Sequence, residues 1–276
     1  MFTLNCNGRL LKIDKPVVMG IINATPDSFY KGSRAQVVDA ALQQAETMLT
    51  EGATFLDIGG QSTAPGSVRM SSEEEAGRVL PIIEAIHKQF PEAYISIDTF
   101  YADVAKQSVA VGARLINDIS GGTMDEAMFS TVAHLGVPYV LMHIKGTPQT
   151  MQQHAVYQNI TKEVLDYFIQ KTEVCKRSGI HDIIIDPGFG FAKTIAHNFE
   201  LLNHLELLQM LQKPLLAGVS RKATIYKTVG TTPDKALNGT TVLNTVALLK
   251  GANILRVHDV KEAVEAIELI EHMKKK

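Results

Sequence analysis

The sequence predicts an α/β chain closed into a (β/α)8 TIM barrel, and three observations predict it. Eight short apolar runs occur along the chain, each followed by a stretch of helical spacing. Strict alternation of this kind implies a parallel sheet, because each return to the same edge needs a crossover helix. The first run ends in Asn23-Ala24-Thr25-Pro26, without the glycine fingerprint that a doubly wound open sheet carries after its first strand. No break in composition divides the chain. Residues 1–276 therefore read as one domain, with an N-terminal hairpin over 1–14 capping the barrel bottom.

Asn7-Gly8 between Thr3–Cys6 and Leu10–Ile13 is a strong two-residue hairpin signal. Val17–Asn23 is the first barrel strand. Gln36–Leu49 places Val37, Val38, Ala41, Leu42, Ala45, Met48 and Leu49 at helical spacing, and Gly52 stops it. Thr54–Gly60 is the second strand, and Ser72 with Glu75 reads as a capping box opening a helix to about Phe90. Ala93–Asp98 is a strand, Ala102–Val111 a short helix, Arg114–Asp118 a strand and Glu126–Leu135 a helix. Pro138–His143 is the fifth strand. Asn159–Arg177 is an amphipathic helix with Val164, Leu165, Phe168, Ile169 and Cys175 on its apolar side. Ile183-Ile184-Ile185 are β-branched and apolar, as in a strand buried on both faces, and Pro187 halts its ladder after Asp186. Asn198–Leu211 is a Leu-rich helix, Pro214–Ser220 a strand, Lys235–Lys250 a helix, Ala252–His258 the last strand and Val260–Lys274 the last helix.

The bulk composition excludes several classes. With 27 basic and 29 acidic residues the net charge is -2, which gives no electrostatic case for nucleic acid or an anionic membrane. Cys6 and Cys175 are far apart without metal spacing, so packing roles in a reducing compartment fit them. Met1–Arg9 lacks the apolar centre of a signal peptide, and no apolar run is long enough to span a membrane. The reading is a soluble, cytoplasmic protein.

In such a barrel, functional residues gather at the C-terminal ends of the strands. Those ends carry Asn23, Asp57, Asp98, Asn117-Asp118, His143, Asp186, Ser220-Arg221-Lys222, and Arg256 with His258. Taken singly, a strand-end Asp or Asn is more often a turn or cap residue. Asp57 lies inside its strand and is as readily a core brace as a ligand, and His143 reads as a hydrogen-bonded wall residue before an acid–base group. As a set they suit two tasks. Asp98, Asp186 and Asn117 match a flat heterocycle rich in N–H donors, since a carboxylate takes two parallel bonds from an amino-amidine edge. Arg256 and His258 alternate on one strand, face one side and suit a phosphate or diphosphate together with the Ser62-Thr63 loop. Asn23 offers an oxygen to a Mg2+ that keeps most of its waters. Nothing matches a Ser-His-Asp unit or a zinc site.

At these residues the chain resembles the dihydropteroate synthases. The matching stretches are Met19–Phe29, Leu56–Gly66, Ser96–Thr99, Asn117–Ile119, Met142-His143, Asp186–Phe191, Ser220–Lys222 and Arg256–Asp259. The resemblance implies condensation of hydroxymethyl-dihydropterin diphosphate with para-aminobenzoate, through early loss of diphosphate and a pterin-methyl cation. It implies catalysis by Asp98, Asp186, Lys222 and Asn117. Pterin would meet Asp98, Asn117, Met142, Asp186, Phe191, Gly218 and Lys222. Diphosphate would meet Asn23, Thr63, Arg256 and His258, with Mg2+ on Asn23. Para-aminobenzoate would meet Phe29, Thr63, Pro65, Phe191, Ser220 and Arg221. A homodimer through the late helices is implied as well. Two positions depart from the family pattern: Lys31 replaces its aspartate and Ala64 its arginine, with Lys31, Arg34 or Arg69 left to supply positive charge. The rival readings are a pterin-binding paralogue with lost or altered catalysis and a methyl-tetrahydrofolate methyltransferase domain. Ser220–Lys222 and Arg256–His258 argue against the latter, which handles no diphosphate.

Overall fold

The barrel strands owe their burial to alternation, because residues two apart on a strand share a face. The computed structural model describes residues 1–24, 34–61, 67 and 69–274. In it, strands β1 (Phe2–Cys6) and β2 (Arg9–Ile13) pair antiparallel. Asn7 and Gly8 turn between them with φ of 54° and 81°, the two positive values that a tight hairpin turn requires.

The parallel strands are β3 (Val17–Asn23), β4 (Phe55–Gly59), β5 (Tyr94–Asp98), β6 (Leu115–Asp118), β7 (Tyr139–Met142), β8 (Ile183–Asp186), β9 (Leu216–Ala217) and β10 (Ile254–Val257). Their order is β8-β7-β6-β5-β4-β3-β10-β9. A parallel bridge between Ile185 and Leu215 joins the two ends, with the Ile185 amide 2.9 Å from the Pro214 carbonyl oxygen, so the sheet closes into a barrel. The helices are α1 (Arg34–Thr50), α2 (Ser72–Gln89), α3 (Ala102–Ala110), α4 (Met128–Leu135), α5 (Ile160–Arg177), α6 (Ile195–Asn203), α7 (Ala223–Tyr226), α8 (Leu237–Leu249) and α9 (Val260–Lys274). Their apolar faces pack on the outer sides of the strands in one continuous core. A second cluster fills the barrel bottom, where Met19, Phe55, Leu115, Val140, Ile184, Leu216 and Ile254 meet Leu4, Cys6 and Ile13 of the hairpin. The hairpin is therefore the plug that its sequence suggests. Among the described residues, no helix is long and apolar enough to cross a membrane.

Several elements differ from expectation for physical reasons. The capping box of α2 uses Ser71 and Glu74, not Ser72 and Glu75. Each serine has a glutamate three residues on, and Glu75 instead turns inward to accept a hydrogen bond from Thr99 Oγ1 at 2.6 Å. The expected helix Asn198–Leu211 is α6 plus a 3-10 turn over Leu205–Leu211, ended by left-handed Gln212. The strand expected over Pro214–Ser220 pairs only over β9 and the Leu215 bridge, since its tip is drawn into the turn that opens α7. Residues Pro233–Lys235 form a 3-10 turn before α8. Gly239 is tolerated inside α8 because Ile225 packs where its Cβ would stand. Ile169 is 53% exposed, so the buried side of α5 is Ile160, Val164, Phe168, Thr172 and Cys175.

Candidate active site

One pleat above the apolar plug, the barrel interior turns polar. Asp57 of β4 is completely buried and accepts three hydrogen bonds: from Ser96 Oγ at 2.5 Å, Asn117 Nδ2 at 3.0 Å and Arg256 Nε at 2.6 Å. Arg256 Nη2 then reaches Asp98 Oδ2 at 2.7 Å. The chain Asn117–Asp57–Arg256–Asp98 thus links β6, β4, β10 and β5. Burying such charges is costly unless each is paired, and here each is. Burial pushes the Asp98 carboxyl up to about 7, opposed by Arg256 and aided by Asp57 and Glu75. Burial also works against the Arg256 charge, but Asp57 and Asp98 outweigh it and hold the guanidinium above its usual range. Nη1 is the guanidinium nitrogen that neither carboxylate uses.

Across the barrel, Asp186 ends β8 and accepts from the Gly188 amide at 2.7 Å. Burial raises its carboxyl, with Lys222 opposing. Lys222 stands at the N-cap of α7 and donates from Nζ to the Phe189 carbonyl at 2.5 Å. Its Nζ lies 4.9 Å from the Phe191 ring centroid, a cation–π distance. Burial brings this ammonium down to about 8. Asp98 with Lys222, and Asp186 behind them, suit a flat, nitrogen-rich heterocycle.

His258 follows β10. Its Nδ1 lies 3.0 Å from Ser220 Oγ, which also accepts from the His258 amide at 3.2 Å. The surrounding wall, and then the Arg256 cation, push this imidazole down to about 4. It is therefore neutral near pH 7, so a neutral hydrogen-bonding ring stands beside the Arg256 cation. Arg221 is committed elsewhere. Its Nε and Nη2 grip Asp259 at 2.9 and 2.7 Å, and Nη1 reaches the Pro233 and Asp234 carbonyls.

These groups open on a cavity of about 930 Å³, whose lining includes Asn23, Asp98, Phe191, Gly218, Lys222 and Arg256, with Ser220, Arg221 and His258 at one side. Asn117, Met142 and Asp186 do not line it and are 3%, 2% and 7% exposed, forming the layer behind Asp98, Arg256 and Lys222. Phe29, Thr63 and Pro65, with Lys31 and Ala64, lie outside the described residues. Arg69 is described: its Nε donates to Tyr101 Oη at 2.8 Å, and its guanidinium stacks 4.9 Å from the Phe100 and Tyr101 rings. Its charge is thus tied to the loop flank.

Asp57, as readily a brace as a ligand in the sequence, joins both halves of the site from its register opposite Ser96, and one residue of the site goes unmarked in the sequence. Lys193 lines the cavity from a loop, where no periodicity flags it. His143 is the wall residue expected: 2% exposed, edge-on to Tyr167 at 4.8 Å, and pushed down to about 2 by burial and by Lys193. Cys6 and Cys175 are buried and unpaired, as packing roles require. Among the described residues, no group of three or more His, Cys, Asp or Glu could hold a metal ion. The single Asn23 amide at the mouth fits a hydrated Mg2+ carried by a diphosphate rather than a protein cage.

Known proteins with this arrangement are numerous. The model for the pterin binding enzyme family matches residues 19–258. The dihydropteroate synthase of Escherichia coli (strain K12) is 42% identical over 270 residues, 97% of this chain and 95% of that one. A Yersinia pestis dihydropteroate synthase, solved with a sulfonamide drug complex, superposes with a TM-score of 0.93 at 40% identity over 100% of both chains. A Xanthomonas albilineans dihydropteroate synthase with 4-aminobenzoic acid gives 0.93 at 39% identity, covering 99% of this chain and 98% of that one.

Proposed function

We infer how the site works from one premise: the chain belongs to the dihydropteroate synthases, the pterin-binding enzymes of folate biosynthesis. The substrates are hydroxymethyl-dihydropterin diphosphate and para-aminobenzoate. The observation that carries the residue assignments is the linked set Asn117–Asp57–Arg256–Asp98, facing Asp186 and Lys222. Asp98 would take the N–H edge of the pterin and Lys222 its ring acceptors, with Asn117 and Asp186 supporting that edge from the layer behind. Phe191 and Gly218 would shape the slot with Met142 behind them, the glycine leaving room beside Lys222 and Arg256. Arg256 Nη1, neutral His258, Asn23 and Thr63 would meet the diphosphate.

The methylene C–O bond breaks first, and the diphosphate leaves with the electron pair. Asp98 and Asp186 would stabilise the cation left on the pterin, and the cation in turn favours their charged forms in a site of low dielectric. The arylamine lone pair then forms the C–N bond, and its surplus proton departs to water. Ser220, Arg221, Phe29, Pro65, Thr63 and Phe191 would frame the arylamine. Arg221 acts there through its backbone and the turn it holds, because Asp259 and two carbonyls occupy its guanidinium. Mg2+, when bound, would neutralise charge on the diphosphate, with Asn23 giving it one oxygen. Val242 and Leu249 on α8 and Leu269 and Met273 on α9 are exposed, which supports a homodimer through the late helices. Soluble, cytoplasmic placement and a single domain over the chain complete the reading.

The test is diphosphate release from the pterin substrate with and without para-aminobenzoate. Release coupled to dihydropteroate formation is expected. Pterin binding with no turnover would instead make the chain a binding protein, with Lys31 and Ala64 the first suspects.

A further inference from the structure

Lys193 follows the Gly188–Phe191 loop and is only 4% exposed. A lysine so deep must satisfy its charge or lose it. Its Nζ lies 2.9 Å from the Gly188 carbonyl oxygen, 3.0 Å from that of Phe191 and 3.0 Å from His143 Nδ1. With the His143 carbonyl oxygen at 3.4 Å, four acceptors surround Nζ, a setting that favours the ammonium over the neutral amine. His143 is held neutral, and in the tautomer protonated at Nε2 its Nδ1 accepts from Lys193.

The loop follows a path that backbone preference alone would resist. Gly188, Gly190 and Ala192 have φ of 70°, 84° and 49°. A left-handed alanine costs roughly 1–2 kcal/mol. A Cβ on Gly188 would collide with the His143 carbonyl oxygen, so the chain is pressed onto the end of β7. The carbonyls turned inward by this path are the ones that Lys193 collects.

That loop carries the pterin-side charges. The Gly188 amide holds Asp186, the Phe189 carbonyl holds Lys222, and the Phe191 ring faces the Lys222 ammonium. We propose that Lys193 is a positioning residue: its ammonium is the pin around which the Gly188–Phe191 loop is wound. The proposal rests on the reading of this cavity as a pterin site. Asp186 faces the cations Lys222, Arg256 and Lys193. Lys193 faces Asp186, Lys222, Lys145 and the neutral His143. Burial draws Lys193 down to about 7, opposed by Asp186 and aided by Lys222 and Lys145.

The test is calorimetric titration of the full chain with 6-hydroxymethylpterin across the acid-to-neutral range, for the parent, Lys193→Met and Lys193→Arg. Loss of ionic hydrogen bonds predicts that Lys193→Met binds on the order of 30-fold more weakly. The acid-side loss of binding should also move to higher pH, because Asp186 has one cation fewer beside it. Lys193→Arg should recover part of both. If Lys193→Met does not fold, Lys193→Gln takes its place with the same readings. A lower melting temperature with parental affinity and parental pH dependence would overturn the proposal, as would an arginine variant no better than the methionine one. The turnover assay above judges the reaction and this titration judges Lys193, so the two fail separately.

Discussion

At the bottom of the barrel, Phe55, Leu115, Val140, Ile184, Leu216 and Ile254 are fully buried or within 1% of it against the hairpin. Two residues further along the same strands stand Asp57, Asn117, Met142, Asp186, Gly218 and Arg256. One pleat repeat, about 7 Å, separates a wholly apolar layer from one in which Asp57, Asn117, Asp186 and Arg256 bring charges and hydrogen-bonding groups inside. The lower layer gains stability by burial. The upper layer buries carboxylates and cations that pay their way only as a connected set. A barrel can carry such a set because the layer beneath it makes no polar demands.

The comparison breaks most visibly at Arg256. Arg256→Met leaves Asp57 and Asp98 as neighbouring buried carboxylates without their shared cation. About 3–5 kcal/mol of stability should be lost in urea unfolding, and turnover should fall on the order of a thousandfold in the protein that still folds. The opposite layer should behave in the opposite way. Ile184→Ala should lose about 2–5 kcal/mol through the cavity it leaves, while kcat/KM of the folded protein stays within about threefold. Equal losses of activity from both layers would erase the distinction.

A smaller effect sharpens the boundary between the layers. Glu75 lies beside the polar layer, and burial pushes its carboxyl up from 4.5 to about 7, with Thr99 and the cations Arg69 and Arg78 opposing. A raised folded value means that its stabilising contribution is present below pH 4.5 and is lost as pH rises through about 7. Glu75→Gln imitates the protonated acid. It should flatten the stability profile across that window and gain up to about 3 kcal/mol above it, measured by unfolding at several pH values. A profile of unchanged slope would show that Glu75 is ionised in the folded chain.

Much of this was legible from the residues alone. β-Branched runs ending in Asp, Asn or Arg located the strands and the mouth, because burial and chain reversal impose their own composition. Asp98, Asn117, Lys222 and Arg256 come together as their strand ends suggested. Asp57 was ambiguous because a mid-strand aspartate takes its meaning from what stands across the barrel, which is set by register. Lys193 was invisible because its role depends on carbonyls, and carbonyls leave no mark in a sequence. The charge of His258 is not written in its sequence, since its burial and its closeness to Arg256 are what make it neutral.

The central claim is a divided mouth, with carboxylates toward the flat base and a cation toward the departing group. The most direct measurement is a pair of dissociation constants, one for 6-hydroxymethylpterin and one for Mg2+-diphosphate, in Asp186→Asn and Arg256→Lys. The account predicts that Asp186→Asn weakens pterin about 100-fold and diphosphate less than about threefold, while Arg256→Lys does the reverse. Equal weakening of both ligands by either variant would contradict it.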